Sequence, residues 1–199
     1  MYQGHEHLIL NGKELPYTML NFWQSAMSEI LLNVNRGSFA EFLVQCALTD
    51  GGFDALHQDK TGMEAWDIDG PEITVRDPEG NPSVRRSRIE VKSCASLQHS
   101  SPDTVEPKHD DQLSFGIRKA VDFDSDDNTP RRNNDLYVFC HFTALSKSDN
   151  ILDLGFWDFY VCPTYLIDND SFLADRKSVS LWRLKKMGLR RCSYESLFG

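Results

Sequence analysis

The chain has 199 residues, enough for one domain with a well-buried core. With 40% hydrophobic and 26% charged residues it has the composition of an ordinary globular protein, with no low-complexity tract and no apolar run long enough to span a bilayer. A net charge of −9 excludes a generally basic surface and leaves room only for a local phosphate-binding patch, because neutralising phosphates supplies most nucleic-acid affinity.

Residues 1–7 have neither the basic start nor the apolar stretch of a secretion signal, so a cytoplasmic location is expected. The five cysteines (Cys46, Cys94, Cys140, Cys162 and Cys192) are odd in number, widely spaced and without a C-x-x-C pair. That pattern suits buried free thiols in a reducing compartment rather than a zinc site or a disulfide scaffold.

Residues 21–33 have helical apolar spacing, with Asn21 placed to cap them. After a break at Asn35-Arg36-Gly37, a second helix is predicted over 38–48. Its stripe is Phe39, Phe42, Leu43, Cys46 and Ala47, and Ser38 and Glu41 have capping-box spacing. Two short extended runs, 65–69 and 72–76, are separated by Gly70-Pro71, and dense turn chemistry fills 77–82. Residues 87–93 alternate as a strand should, and 93–99 begin a helix that Pro102 stops. The chain is mainly acidic over 103–135, with a mobile acidic loop expected at 122–134. Strands follow at 136–143 and 156–167, then a helix at 180–187 closed by Gly188. The order predicts a single α/β domain over 1–199, a central mixed sheet flanked by helices.

The chemistry concentrates in Arg86-Ser87-Arg88-Ile89-Glu90-Val91-Lys92. Alternation puts Arg86, Arg88, Glu90 and Lys92 on one face, with Glu90 and Lys92 Cα atoms roughly 7 Å apart. There a carboxylate binds a hard divalent cation while the ammonium orients the attacking water or offsets transition-state charge. A second carboxylate is required, and Asp67, between Trp66 and Ile68, is the first choice, with Asp69 as the alternative. Glu-x-Lys alone is common: Glu106-Pro107-Lys108 fits it too, in a polar loop. The bland alternative is a cross-strand ion pair for Glu90 and Lys92, and a capping role alone for Glu41. No histidine falls in a ligand pattern, and Cys94 is expected to be packed rather than nucleophilic.

Three segments together resemble the PD-(D/E)xK nuclease superfamily, most fully a group of small bacterial proteins of that fold. They are Asn35-Arg36-Gly37-Ser38-Phe39-Ala40-Glu41-Phe42-Leu43-Val44, then Trp66-Asp67-Ile68, then Arg88-Ile89-Glu90-Val91-Lys92-Ser93-Cys94-Ala95-Ser96-Leu97-Gln98. The later Asp135-Leu136-Tyr137-Val138-Phe139 and Trp157-Asp158-Phe159-Tyr160-Val161 resemble its final core strands, so the likeness covers residues 20–197. It implies a restriction-endonuclease-like core and a magnesium- or manganese-dependent phosphodiesterase, with DNA favoured over RNA as substrate. Asp67, Glu90 and the Val91 carbonyl would hold the metal and Lys92 the water. Glu41 would reach the metal or its water shell, and Gln98 would orient Lys92 or touch substrate. Two departures stand out: no proline precedes Asp67, and Ser96 replaces a frequent aromatic. Phosphate contacts are expected from Arg86 and Arg88 and from the basic helix at Arg183, Lys185 and Lys186. The rival expectation is a catalytically weak or inactive nuclease fold kept as a nucleic-acid- or protein-binding module. A homodimer, or a partner subunit supplying specificity, suits either reading; a membrane suits neither.

Overall fold

The structure, a computed structural model, describes residues 3–54, 56–57, 65–76, 79–122 and 128–198. In chain order the elements are β1 (His7–Leu10), β2 (Lys13–Thr18), α1 (Met19–Met27), α2 (Asn33–Asp50), β3 (Leu56–His57), β4 (Ile68–Arg76) and β5 (Pro82–Ala95). They continue with β6 (Ser114–Gly116), β7 (Leu136–Phe142), β8 (Trp157–Pro163), α3 (Thr164–Asp168), β9 (Ser178–Ser180) and α4 (Leu181–Lys186). Among the described residues the main sheet has five strands in the order β3-β4-β5-β7-β8, with β5/β7 parallel and the other pairs antiparallel. The mixed sheet flanked by helices is therefore as expected. No helix among the described residues is long and apolar enough to cross a membrane.

Two cores form on the two faces of this sheet. On one, α2 lays Ala40, Leu43, Val44, Ala47 and Leu48 against Ile89, Val91, Val138, Phe142 and Trp157. On the other, Cys94, Tyr137, Phe139, Tyr160 and Cys162 meet residues from the β6/β9 ribbon, α3 and α4, among them Phe115, Ile167, Val179 and Leu184. β7 is buried on both faces, which is why its sequence is almost continuously apolar.

The N-terminal elements depart from expectation. β1 and β2 form a hairpin whose turn residues Asn11 and Gly12 both have positive φ, the backbone that Asn-Gly favours. α1 starts at Met19, and its cap is Thr18, with Asn21 completing the capping box three residues later. Helix α2 runs through Asn35-Arg36-Gly37 without a break. The Asn35 amide donates to the carbonyls of Ala26 and Glu29, and Arg36 donates to Leu31 O and Asn33 Oδ1, tying that first turn to the preceding loop. Ser38 is thus interior to the helix and caps nothing; the capping-box explanation of Glu41 fails.

Residues 68–76 form one strand, not two, with a register shift between Asp69 and Glu72. Gly70 permits it: a Cβ there would lie 2.6 Å from Ser87 Oγ and 2.7 Å from Ile89 Cδ1. Gly70→Ala is expected to lower stability by about 1–3 kcal/mol through overpacking, read as a lower urea midpoint. An unchanged midpoint would show that the Ser87–Ile89 contact yields freely.

β5 is longer than predicted and runs to Ala95, so no helix begins at residue 93. Residues 123–127 of the expected acidic loop lie outside the described residues. Its last part is held firmly: the Arg132 side chain has no exposure and donates to the carbonyls of Ile117, Leu173, Ala174 and Arg176 and to Asp168. Asn133 and Asn134 are buried too, bonded to Ala120 O and Thr164 Oγ1.

Candidate active site

The antiparallel ladder between β4 and β5 begins at Ile68↔Ile89, which leaves residues 90–92 of β5 beyond its end. Asp67 closes that end. Its N–H donates to Ile89 O at 3.0 Å, and its Oδ2 accepts from the Val91 N–H at 2.7 Å in place of a strand carbonyl. In a strand, N–H and C=O of one residue point to the same neighbour, so the Val91 carbonyl also faces this open end. Trp66 fixes the approach: its Nε1 donates to Asp69 Oδ1 at 2.8 Å, and the Arg88 guanidinium lies over its ring at 4.0 Å. The geometry therefore separates the two aspartates. Asp69 is bound to Trp66; Asp67 faces β5.

Lys92 Nζ is in direct contact with Glu90 Oε1 and lies 3.8 Å from Asp67 Oδ2. All three side chains are only partly exposed, at 33% for Lys92, 19% for Glu90 and 21% for Asp67. Glu41 is buried on α2, and its charge acts on both Glu90 and Lys92. Burial, with the negative charges of Asp67 and Glu41, pushes the Glu90 carboxyl up to about 7 against the opposing pull of Lys92. Burial pulls the Lys92 ammonium down, but Glu90, Asp67 and Glu41 outweigh it and hold the group above its ordinary value. The charges of Asp67, Glu90 and Glu41 thus all act on the one ammonium of Lys92.

Because the folded Glu90 value exceeds its ordinary 4.5, the fold favours the protonated acid. Its contribution to stability is complete below about pH 4.5 and is lost as pH rises through about 7. In chelator, Glu90→Gln is expected to flatten the stability profile across that interval. A variant profile as steep as that of wild type would remove Glu90 as its cause.

Among the described residues no three acidic, histidine or cysteine side chains converge as a ready-made metal-ligand group. Magnesium does not demand one, since it binds through one or two carboxylates and keeps several waters. Asp67 and Glu90, both against a single ammonium, with the Val91 carbonyl facing the same opening, fit that requirement.

The other sequence-selected residues are engaged by their own neighbours. Gln98 does not reach Lys92: its amide donates to Ala95 O and its Oε1 accepts from Arg36. Arg86 is engaged by Asp54 and by the Asp54 and Gly70 carbonyls, and Arg88 by Trp66. On α4, Arg183 pairs with Asp170, Lys185 with Asp110, and Lys186 lies over Trp182. The basic helix is therefore largely neutralised by its own neighbours. Cys94 is packed, and burial pushes its thiol up to about 12, which removes it as a nucleophile.

Sequence reasoning gave no role to Arg36. The available signal was its place on the buried stripe of α2, four residues before Ala40 and seven before Leu43, where an arginine needs a reason.

No family model and no curated protein sequence matches the chain. Among solved structures it is similar to a bacterial homing endonuclease at 15% identity and a TM-score of 0.36, over 72% of this chain and 74% of that one.

Proposed function

We propose that the chain is a magnesium- or manganese-dependent nuclease, acting on DNA in preference to RNA, with Asp67, Glu90 and Lys92 at its centre and Glu41 behind them. The observation that carries this reading is the Lys92 ammonium against two carboxylates at the open end of the β4/β5 ladder. The resemblance of the three motifs to PD-(D/E)xK nucleases supplies the reaction class. A bound divalent ion would act as a Lewis acid on the scissile phosphate and make a bound water more acidic.

The chain's own residues prepare that chemistry. The Val91 N–H keys Asp67 in one orientation. Glu90, whose carboxyl is pushed up to about 7, would give up its proton to hold a cation, so metal uptake would release protons at neutral pH. Lys92 brings a fixed positive charge to the place where the attacking water and the phosphate oxygens meet. The buried Glu41 adds its negative charge to those of Glu90 and Asp67 in holding the Lys92 ammonium above its ordinary value.

The closure of Lys92 onto both carboxylates, together with the neutralised α4, favours a second reading: an inactive nuclease fold kept as a binding module. The two separate in one experiment, in which supercoiled, linear and single-stranded DNA and RNA are incubated with magnesium or manganese. Manganese binding is measured alongside. Metal-dependent cleavage of DNA, and manganese binding lost in Glu90→Gln, is the nuclease result. Nucleic-acid binding indifferent to metal and to Asp67→Asn, with no cleavage, is the module result.

A further inference from the structure

Arg36 is 3% exposed in the first turn of α2. Its guanidinium donates only to neutral oxygens: Leu31 O, Gln98 Oε1 and Asn33 Oδ1, at 3.4, 3.3 and 2.8 Å. Its buried Nε has no hydrogen-bond partner, and burial pulls its pKa down against only the weak opposing pull of the Cys94 thiol. Among the described residues the other buried arginine, Arg132, has Asp168, whereas Arg36 has no carboxylate. A buried cation without a counter-charge is costly and calls for an anion.

Arg36 lines a cleft of about 420 Å³ at the C-terminal end of β5, shared with Asn33, Ser93, Gln98, Lys108 and Gln112. Two cations face it and no aspartate or glutamate, in a chain whose net charge is −9. Lys108 is exposed and has no ion pair among the described residues. The 18-residue helix α2 begins at this wall with no side-chain cap and no acid in its first turn, so its first N–H groups add positive potential. Cys94, also in the lining, is two residues from Lys92 on the same strand face, about 7 Å along β5. The cleft therefore adjoins the carboxylate–lysine centre without sharing its residues.

We propose that this cleft is a phosphate-binding subsite, with Arg36 and Lys108 as cationic contacts and Gln98 and Gln112 as hydrogen-bonding walls. It receives a phosphate of the nucleic-acid strand on which the neighbouring centre acts. The identity of the strand rests on the nuclease reading; the binding of phosphate does not.

The test is fluorescence anisotropy of the full chain with short 3′-labelled single-stranded DNA, bearing a 5′-phosphate or a 5′-hydroxyl, in chelator. Lys108→Ala is expected to weaken binding about tenfold and to lower the salt slope by about one. Arg36→Gln is expected to weaken it further, and is read only if its circular dichroism and melting match wild type. Inorganic phosphate should compete. A preference for the 5′-phosphate that disappears in Lys108→Ala identifies a terminal phosphate, and equal affinity for both ends identifies a backbone diester. Binding and salt slope unchanged in Lys108→Ala overturn the proposal, whatever the fate of Arg36→Gln. Binding that depends on Lys108 in a protein that never cleaves would leave this subsite standing and the nuclease reading refuted. Cleavage by a protein whose DNA binding ignores Lys108 would do the reverse.

Discussion

Lys92→Ala is expected to reduce metal-dependent DNA cleavage by about 100- to 1000-fold, the usual cost of removing one preorganised charge from the place where transition-state charge develops. The ammonium is fixed on both sides, by contact with Glu90 and by Asp67 Oδ2 at 3.8 Å, so it is oriented before substrate arrives. Its removal also takes away the main charge holding Glu90 down, so the carboxyl titrates above about 7 and competes with metal by staying protonated. The loss should therefore ease as pH rises, and single-turnover cleavage measured across pH reads this directly. A variant that cleaves at the wild-type rate would remove Lys92 from the chemistry. An equal loss at every pH would remove only the coupling to Glu90.

The second large effect concerns the fold. Arg132→Met is expected to lower stability by about 3–5 kcal/mol, within the range for breaking a buried charge network. Four carbonyls (Ile117, Leu173, Ala174 and Arg176) accept from this one side chain and would lose their donor together. These carbonyls belong to the segment following β6 and to the stretch between α3 and β9, so the layer behind Tyr137 and Phe139 should loosen with them. Urea unfolding measures the change. A loss under about 1 kcal/mol would mean that water satisfies the carbonyls as well as the arginine does.

What the sequence made legible, and what it did not, follows from the range of each interaction. Strand alternation placed Glu90 and Lys92 together, because period two is local and survives any tertiary arrangement. The nearly continuous apolar run of β7 announced a strand buried on both faces for the same reason. The Asn11-Gly12 hairpin was equally readable and went unread, because its flanking residues are exposed and show no buried face. Helix boundaries failed where distant atoms decide them: Asn35 and Arg36 look like a break until their side chains are seen bonded to the preceding loop. Ser38-x-x-Glu41 has the spacing of a cap, but a cap exists only at a helix end, and the helix began five residues earlier. What sets Asp67 apart from Asp69, already the second choice in the sequence, is a bond from the Val91 N–H, 24 residues away and invisible in local sequence. Arg132 shows the largest gap. An arginine in an acidic, polar stretch reads as solvated, and only the converging carbonyls of two other segments, one before it and one after it in the chain, make it a buried anchor.

Basic composition was a similarly poor guide. The basic helix at Arg183, Lys185 and Lys186 suggested a phosphate-binding face, but Asp170 and Asp110 return to neutralise Arg183 and Lys185. Two cations without an ion pair among the described residues, Arg36 and Lys108, are 72 positions apart in the chain and meet at one cleft.

The most direct test of the central claim is the rate at which purified protein nicks supercoiled DNA in manganese, against the same preparation in chelator and against Glu90→Gln. The site described here requires nicking in manganese, none in chelator, and a loss of about a hundredfold or more in Glu90→Gln. Nicking that persists in chelator, or that is equal in Glu90→Gln, would contradict it.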